Sequence, residues 1–315
     1  MPSDSAIKKI NRLIDNIEKA FVGTRSVVEL AVNALFSGGH LIIIDLPGLG
    51  KTTLAKAMGK SIGGKATRIQ FTPDLLPSDI TGVNIYFHEE CRFEFHHGPV
   101  FTNILLADEI NRATPRTQAS LLEAMEELQV SVDGVTHPLA QPFMVIATQN
   151  PVEVQGTFPL PEAQLDRFLI SLIIGYPQSE DENRIIEERM SANPIDSIEP
   201  VMSLEEVGEI KKECRAVHVD RKIRDYIIEI STATRQRGEI LLGASPRASL
   251  DLMRSSMTHA LLRGRDFVVP EDVKKMAVPV LAHRLLLRGS SRLNLERNAA
   301  VVHSILDAVP LPLKK

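Results

Sequence analysis

A glycine-rich segment near the start of the chain has the residue types that bind phosphate. Lys51 and Thr52 follow the turn Pro47-Gly48-Leu49-Gly50, which lies between the apolar run Leu41–Ile44 and helix-forming residues from Leu54 onwards. A strand, such a turn and a helix start together arrange backbone N–H groups and the positive end of the helix around anionic oxygens. The Lys51 ammonium would reach the β- and γ-phosphates of a nucleotide, and the Thr52 hydroxyl would ligate Mg²⁺. We therefore predict a nucleoside triphosphate site here.

One position departs from the usual pattern of such a loop. The strict pattern has glycine where this chain has Asp45. A carboxylate that faced the phosphates would repel them. Asp45 is the first residue after the predicted strand, so its side chain either points into the site and weakens binding or points away.

A second apolar run, Ile104–Ala107, is followed directly by Asp108 and Glu109. Beside a phosphate loop, Asp108 is placed to hold Mg²⁺ and Glu109 to polarise the attacking water. Acids at a strand end are common by themselves. The interpretation therefore depends on the phosphate loop upstream, and the separation from Lys51 leaves room for one strand–helix pair.

Three more polar residues are candidates for the same site. Asn150 follows the apolar run Phe143–Ala147 and could bind the γ-phosphate or orient water. Arg167 lies just before the last apolar run, and Arg247 follows the helix-start signal Ser245-Pro246, so either guanidinium could stabilise developing charge. Each also has an ordinary explanation: an Asn-Pro turn, a surface ion pair and a solvated arginine.

The elements that would position these residues alternate between short apolar runs and helical or loop segments, which indicates an α/β layer with a mostly parallel sheet. The predicted buried strands are Leu41–Ile44, Ala66–Phe71, Ile104–Ala107, Phe143–Ala147 and Leu169–Ile174. Two hairpins interrupt the alternation, one around residues 88–91 and one at Asp133-Gly134. They are either surface decoration or moving contacts to a substrate or partner.

The pattern changes after Tyr176-Pro177. From Gln178 onwards we predict no strand and six helical stretches: Glu180–Ala192, Leu204–Cys214, Arg221–Gln236, Pro246–Leu262, Pro270–Leu287 and Glu296–Ala308. The predicted domains are therefore residues 1–177, an αβα nucleotide-binding domain, and residues 178–315, a helical lid domain.

Composition excludes several classes of protein. The net charge of −4 over 315 residues gives no general attraction to nucleic acid. No apolar run approaches the ~20 residues of a membrane span. Cys91 and Cys214 are far apart and match no metal-ligand spacing, which fits a reducing compartment, so we expect a cytoplasmic protein. The late basic stretch that includes Arg284 and Arg288 is interpreted as a solvated face or a subunit contact.

Six motifs, taken together and in this order, resemble the MoxR family of AAA+ ATPases. They are Gly-Leu-Gly-Lys-Thr, Leu-Leu-Ala-Asp-Glu-Ile-Asn-Arg-Ala, Gln-Ala-Ser-Leu-Leu-Glu-Ala-Met, Val-Ile-Ala-Thr-Gln-Asn-Pro, Phe-Pro-Leu-Pro-Glu-Ala-Gln-Leu-Asp-Arg-Phe and Gly-Ala-Ser-Pro-Arg. The resemblance runs from about Val22 to the C-terminus. It implies an α/β fold in which a P-loop AAA+ core, with a parallel sheet of order 5-1-4-3-2 and inserted hairpins, precedes an all-helical lid.

The resemblance also implies bound ATP and Mg²⁺. It assigns nucleotide binding to the phosphate loop and to a segment that contacts adenine: Val22, Gly23, Pro47, Gly48, Leu49, Gly50, Lys51, Thr52 and Thr53. Thr52 and Asp108 are the metal ligands that it implies, Glu109 the catalytic glutamate and Asn150 the first sensor.

Assembly into a ring, usually a hexamer with ATP between subunits, is a further implication. The arginine finger is then Arg167, with Arg112 as a weaker candidate, and the second sensor is Arg247, acting in cis or in trans. The hairpins at about Ile80–Gly98 and at Asp133-Gly134 would point towards the ring pore or one ring face.

The function that this resemblance implies is ATP-driven remodelling of a protein client, in maturation or cofactor insertion, with a partner that carries a von Willebrand factor A domain. Two alternatives stay open. One is a DNA-linked motor related to the MCM helicases, which the acidic net charge disfavours. The other is a nucleotide-gated scaffold with little turnover, which Asp45 alone favours.

Overall fold

The computed structural model describes residues 4–152, 156–191, 193–289 and 293–312. Its helices, in chain order, are α1 (Asp4–Glu18), α2 (Arg25–Ser37), α3 (Lys51–Ser61), α4 (Pro77–Thr81), α5 (Pro115–Glu127), α6 (Glu162–Leu165), α7 (Ser179–Ser191), α8 (Leu204–Ala216), α9 (Arg221–Gln236), α10 (Pro246–Leu262), α11 (Pro270–Leu281) and α12 (Leu295–Ala308). Single 3₁₀ turns occupy Ile110–Arg112, Pro194–Ser197 and Ala282–Arg284.

The strands are short. They are β1 (Leu41–Ile44), β2 (Ala66–Gln70), β3 (Gly82–Phe87), β4 (Arg92–His97), β5 (Ile104–Asp108), β6 (Gln129–Val132), β7 (Val135–Pro138), β8 (Met144–Gln149), β9 (Ile170–Leu172), β10 (Ile240–Leu242) and β11 (Leu286–Leu287).

Five of these strands form a parallel sheet in the order β2-β5-β8-β1-β9. Counted within the sheet alone this is 5-1-4-3-2, so the predicted order is confirmed. In β1, β5, β8 and β9 the apolar residues are buried because helices cover both faces of such a sheet. The prediction of a buried strand was wrong for β2, which lies at the sheet edge and buries only Ile69. The carboxyl ends of β1, β5 and β8 lie side by side, and this edge carries the phosphate loop, the two acids and Asn150.

Both predicted hairpins are present as antiparallel pairs, β3–β4 and β6–β7. The second turns at Asp133 and Gly134, whose φ angles of +49° and +80° match a tight two-residue turn. The two hairpins contact each other, since the Phe95 and His137 rings stack with centroids 3.9 Å apart. Asn84 also donates a 2.6 Å hydrogen bond to the Asp133 carboxylate.

The C-terminal part is helical as predicted, except in one place. The expectation of no strand there was wrong, because β10 and β11 pair antiparallel. The helix predicted to reach Leu287 ends at Leu281, close to Pro279, which lacks the N–H that a helix interior needs. Strands β10 and β11 are three and two residues long, too short to show an alternation of apolar and polar residues. The end of the first predicted lid helix, Ala192, lies outside the described residues.

Apolar side chains from both parts of the chain form one continuous buried cluster. In it, Leu35 and Ile43 from the α/β part pack with Ile210, Leu252 and Met276 from the helical part. A second cluster covers the other face of the sheet. The domain boundary near residue 177 stays a prediction. No helix within the described ranges has both the length and the apolar character needed to cross a bilayer.

Candidate nucleotide site

The phosphate loop joins β1 to α3 through two glycines with left-handed backbones. Gly48 and Gly50 have φ of +87° and +82°, a region that strains other residues. A Cβ on Gly48 would meet no atom within 4 Å, so glycine is needed there for its conformation and not for lack of space. Since α3 begins at Lys51, its first-turn N–H groups have no partners within the helix and are directed at this loop. An anion fits this arrangement.

Lys51 is held at the loop with little exposed surface. Its side chain donates to the backbone carbonyl of Asp45. Burial lowers the pKa of the Lys51 ammonium, while the carboxylates of Asp45, Asp108 and Glu109 oppose that change. The lysine therefore places a positive charge next to the sheet edge that carries the acids.

The Asp45 carboxylate points away from the phosphate loop. One of its oxygens accepts hydrogen bonds from the N–H groups of Ile174 and Gly175, both at 2.7 Å. The other accepts from Leu46 N–H at 2.8 Å. The sequence left open whether this side chain points into the site or away from it. In the structure it points away, towards the backbone just after β9. Asp45 thus fastens the ends of two neighbouring strands.

We expect Asp45→Asn and Asp45→Gly to lower stability and not to raise turnover. Each substitution removes a buried charge that satisfies backbone donors, a loss of about 1–3 kcal/mol in unfolding free energy. Chemical denaturation and steady-state ATPase assays on the same preparations measure both effects. Faster hydrolysis with unchanged stability would mean that the carboxylate acts on the nucleotide after all.

The two acids are oriented from the neighbouring strand β8. The Thr148 hydroxyl donates to Asp108 Oδ1 at 2.7 Å and accepts from Glu109 N–H at 2.8 Å. Arg68 pairs with the other Asp108 oxygen at 2.7 Å. A carboxylate and a hydroxyl are the hard oxygen donors that Mg²⁺ prefers, so Asp108 and Thr52 suit that ion chemically, with Thr148 orienting the carboxylate.

Glu109 has an uncommon backbone for a residue with a side chain. Its φ of +55° and ψ of +49° are left-handed, which costs roughly 1–3 kcal/mol and is concentrated at functional sites. Its carboxylate accepts from Gln70 at 2.8 Å and from Arg112 at 2.9 Å. Arg112 therefore pairs with the acid of its own chain. Asn150 lies one strand further along, where its side chain accepts from Val152 N–H at 3.1 Å.

A cavity of about 210 Å³ opens beside the phosphate loop. Its lining includes Val22, Gly23, Gly48, Leu49, Gly50 and Thr53 from the predicted nucleotide-binding residues. The cavity also has an apolar wall that the sequence did not indicate, formed by Phe21, Ile174 and Tyr176 among others. The Phe21 ring lies against Gly50, where an added Cβ would come within 3.2 Å of it. A flat apolar group such as a purine base fits between these walls.

The two predicted arginines come together at a different place. Arg167 Nη1 lies 3.1 Å from one oxygen of Glu126 on α5, and Arg247 pairs with the other oxygen. The described lining of the cavity beside the phosphate loop includes neither arginine, and it also lacks Lys51, Thr52, Asp108 and Glu109. All three side chains are partly exposed. The structure thus groups the loop and the acids in one place and the arginines in another.

Residues 40–170 match the family described as "ATPase family associated with various cellular activities (AAA)", and residues 232–305 match the AAA lid domain. The chain is 38% identical to Chaperone MoxR1 of Mycobacterium tuberculosis, over 97% of this chain and 83% of that protein. The chain belongs to the MoxR family of AAA+ ATPases. It is also 45% identical to the uncharacterized protein YeaC of Bacillus subtilis, over 97% of this chain and 96% of that protein.

The fold comparison agrees. A crystal structure from Cytophaga hutchinsonii, provisionally described as an ATPase, is 37% identical and superposes with a TM-score of 0.88 over 98% of this chain and 96% of that one. As a MoxR-family AAA+ ATPase, the protein binds nucleotide and hydrolyses ATP.

Sequence reasoning missed several contacts in this MoxR-family ATPase. Thr148 lies within a motif that carried the resemblance, but nothing in the pattern indicated that it contacts both acids. Glu126 comes directly after another of these motifs, and the sequence around it indicates only that it lies in a helix. Phe21 lies just after the end of α1 in an ordinary apolar stretch, so its place in the cavity depends on the tertiary fold.

Proposed function

We propose that this protein is a ring-forming ATPase in which each site is completed by the neighbouring subunit, and that hydrolysis drives remodelling of a protein client. The observation that supports this most is the separation of the two groups. The phosphate loop and acids lie at one sheet edge, while Arg167 and Arg247 both pair with Glu126 on α5. The guanidinium groups beside the acids, those of Arg68 and Arg112, form ion pairs with Asp108 and Glu109. In this proposal the group that stabilises charge during phosphoryl transfer therefore comes from the neighbouring subunit.

In the proposed mechanism Lys51 and the start of α3 hold the phosphates of ATP. Thr52 and Asp108 would hold Mg²⁺, which when bound would supply positive charge to the phosphate oxygens. Glu109 polarises the water that attacks the γ-phosphorus, and Asn150 orients that water. A bond from water to phosphorus forms as the bond to the β-phosphate oxygen breaks, and the proton leaves through Glu109.

Arg167 and Arg247 both act in trans in this proposal. Since one carboxylate pairs with both guanidinium groups, the two arginines and Glu126 together present a net positive charge from a single surface. That surface would face the γ-phosphate bound by the next subunit. The resemblance leaves Arg247 acting in cis or in trans, and we propose that it acts in trans.

The experiment that tests shared sites is the ATPase rate per subunit as a function of protein concentration, with the assembly state followed by sedimentation in the same buffer. We expect the rate per subunit to rise as rings form and to level off when assembly is complete. A rate that is independent of concentration, in a protein that stays monomeric, would contradict the proposal. Sedimentation would also give the ring size, for which we propose a hexamer.

The proposed client surface is the outer part of the β3–β4 hairpin. Tyr86 and Phe93 face each other across the strands with ring centroids 5.1 Å apart, and Phe93 is 70% exposed. Val83, Ile85 and Phe87 also keep more than a third of their surface exposed. An apolar surface of this kind marks a contact for another protein. In more detail, we propose that the protein acts in maturation of its client, in the cytoplasm, with a partner that carries a von Willebrand factor A domain. The name of the relative Chaperone MoxR1 supports a chaperone role.

We expect Tyr86→Ser and Phe93→Ser together to weaken client binding about tenfold or more, since each aromatic anchor typically supplies more than 1 kcal/mol. Titration with unfolded casein as a model client, followed by fluorescence anisotropy, measures this. Ile228→Ser, at a lid position that is 56% exposed, is the matched control. Equal casein affinity in all three proteins would exclude the hairpin as the contact.

The two alternatives have less support. The scaffold depended on Asp45, whose carboxylate is turned away from the phosphate loop. The DNA-linked motor is disfavoured by the net charge of −4, which gives no general attraction to nucleic acid. Stimulation of hydrolysis by duplex DNA in the same assay would revive it.

A further inference from the structure

Arg284 lies in the interior, whereas Arg288 and Arg297, the other described members of the late basic stretch, are exposed. The sequence suggested a solvated face or subunit contact, but its side chain is only 2% exposed. It lies in the 3₁₀ turn that follows α11. That prediction was wrong because sequence pattern does not reveal that two acids, Asp166 and Asp251, meet the arginine inside the fold.

The Arg284 guanidinium holds the chain segment that carries Arg167. It donates to the backbone carbonyls of Asp166 and Phe168, at 3.1 and 2.7 Å, which are the residues on either side of Arg167. Its Nε also lies 3.0 Å from the Asp166 carboxylate. The backbone of the predicted arginine finger is therefore fixed on both sides by one lid residue.

The same guanidinium holds the helix that carries Arg247. It donates at 2.7 Å to Asp251, which lies one turn after Arg247 on α10. The cap of that helix is tied to the same place, since the Ser245 hydroxyl hydrogen-bonds both oxygens of Asp166, at 2.9 and 3.0 Å. The segment that carries Arg167 and the helix that carries Arg247 are thus linked twice. The buried link is made by Arg284, Asp166 and Asp251. The partly exposed link is made by Glu126, which pairs with both arginine side chains.

We propose that Arg284 is a positioning residue for hydrolysis in the neighbouring subunit, because it fixes Arg167 and Arg247 as one rigid unit that is presented to the neighbour's nucleotide. This inference rests on the proposed function, in which both arginines act in trans. The shape of the guanidinium matters here, since one group contacts three backbone carbonyls, of Asp166, Phe168 and Val280, and two carboxylates. Nη2 makes three of these contacts, while Nη1 donates to Val280 and Nε lies beside Asp166. A lysine in its place would offer a point charge and could not make the same set of contacts.

The test uses Arg284→Lys in the full chain. We expect the kcat for ATP to fall about 10²-fold, as for a displacement of roughly 1 Å in a positioning group, while the affinity of the subunit's own site for a fluorescent ATP analogue changes less than about twofold. Arg288→Lys, at an exposed position of the same basic stretch, is the matched control and should keep wild-type kcat. Asp166→Asn keeps the shape and the acceptor for Ser245, so it serves as a second variant if Arg284→Lys does not fold.

Mixed rings separate positioning from general damage. An Arg284→Lys subunit keeps an intact phosphate loop and acids, so mixing it with Glu109→Gln subunits, which still present arginines, should restore hydrolysis. Mixing it with Arg167→Ala subunits should restore none, because neither partner then presents a working pair. Recovery with Arg167→Ala, or no recovery with Glu109→Gln in a folded protein that binds ATP, would overturn the role of Arg284.

The failure of the underlying function would look different. If Glu109→Gln and Arg167→Ala subunits do not restore activity to each other, the proposal of a site shared between subunits is wrong. The positioning role of Arg284, which rests on it, is then wrong as well. If those two restore each other while Arg284→Lys keeps wild-type kcat, only the positioning role is wrong.

Discussion

Replacement of Glu109 by glutamine should leave ATP binding intact and slow hydrolysis by about 10²–10⁴-fold, the usual contribution of a side chain that transfers or polarises a proton. Glutamine has the same size, and its amide oxygen can accept the hydrogen bonds that Gln70 and Arg112 donate to Glu109 at 2.8 and 2.9 Å. What it lacks is the basicity that draws a proton from water. The phosphate loop does not depend on this residue, so binding should remain.

Single-turnover hydrolysis and equilibrium binding of a fluorescent ATP analogue measure the two quantities separately. Glu123→Gln, at an exposed position on α5, is a suitable control and should behave like the wild type. A Glu109→Gln protein that turns over at the normal rate would remove Glu109 from the mechanism. A protein that no longer binds nucleotide would mean that the left-handed backbone at residue 109 fails with glutamine and that the site has collapsed.

The elements and motifs of this ATPase were predictable because local rules determine them. Apolar runs gave the five sheet strands, and the resemblance gave their order. Asp133-Gly134 gave a hairpin, since its two left-handed residues are typical of that turn. The short pair β10–β11 was not predictable, because its strands form only by pairing between residues that are far apart in the chain.

The contacts that decide the chemistry were not predictable in the same way. Asp45 could face either side of its loop, and only the N–H groups of Ile174 and Gly175, more than a hundred residues away, determine its direction. The sequence around Arg284 predicts a solvated face or a subunit contact, because its partners, Asp166 and Asp251, lie on other elements. Charged groups are rarely buried without such partners, so the sequence around one of them indicates exposure by default.

Replacement of Arg167 by alanine should have the largest effect of any change outside the subunit's own nucleotide site. A guanidinium that stabilises the charge of phosphoryl transfer contributes about 10³–10⁵-fold to kcat, so we expect a loss in that range with little change in ATP affinity. Arg167→Lys should recover only a small part, because a point charge does not replace the planar fork. Arg221→Ala, on a lid side chain that is 86% exposed, is the matched control.

The decisive form of this experiment mixes Arg167→Ala with Glu109→Gln subunits. Neither is active alone, but a mixed ring contains sites in which intact acids of one subunit meet the arginines of the other. Activity that appears on mixing and depends on the ratio of the two proteins requires Arg167 to act across the interface. If mixing restores nothing while both proteins assemble, Arg167 acts within its own chain. The pair that it forms with Arg247 at Glu126 would then have to open and move towards the phosphate loop during each turnover.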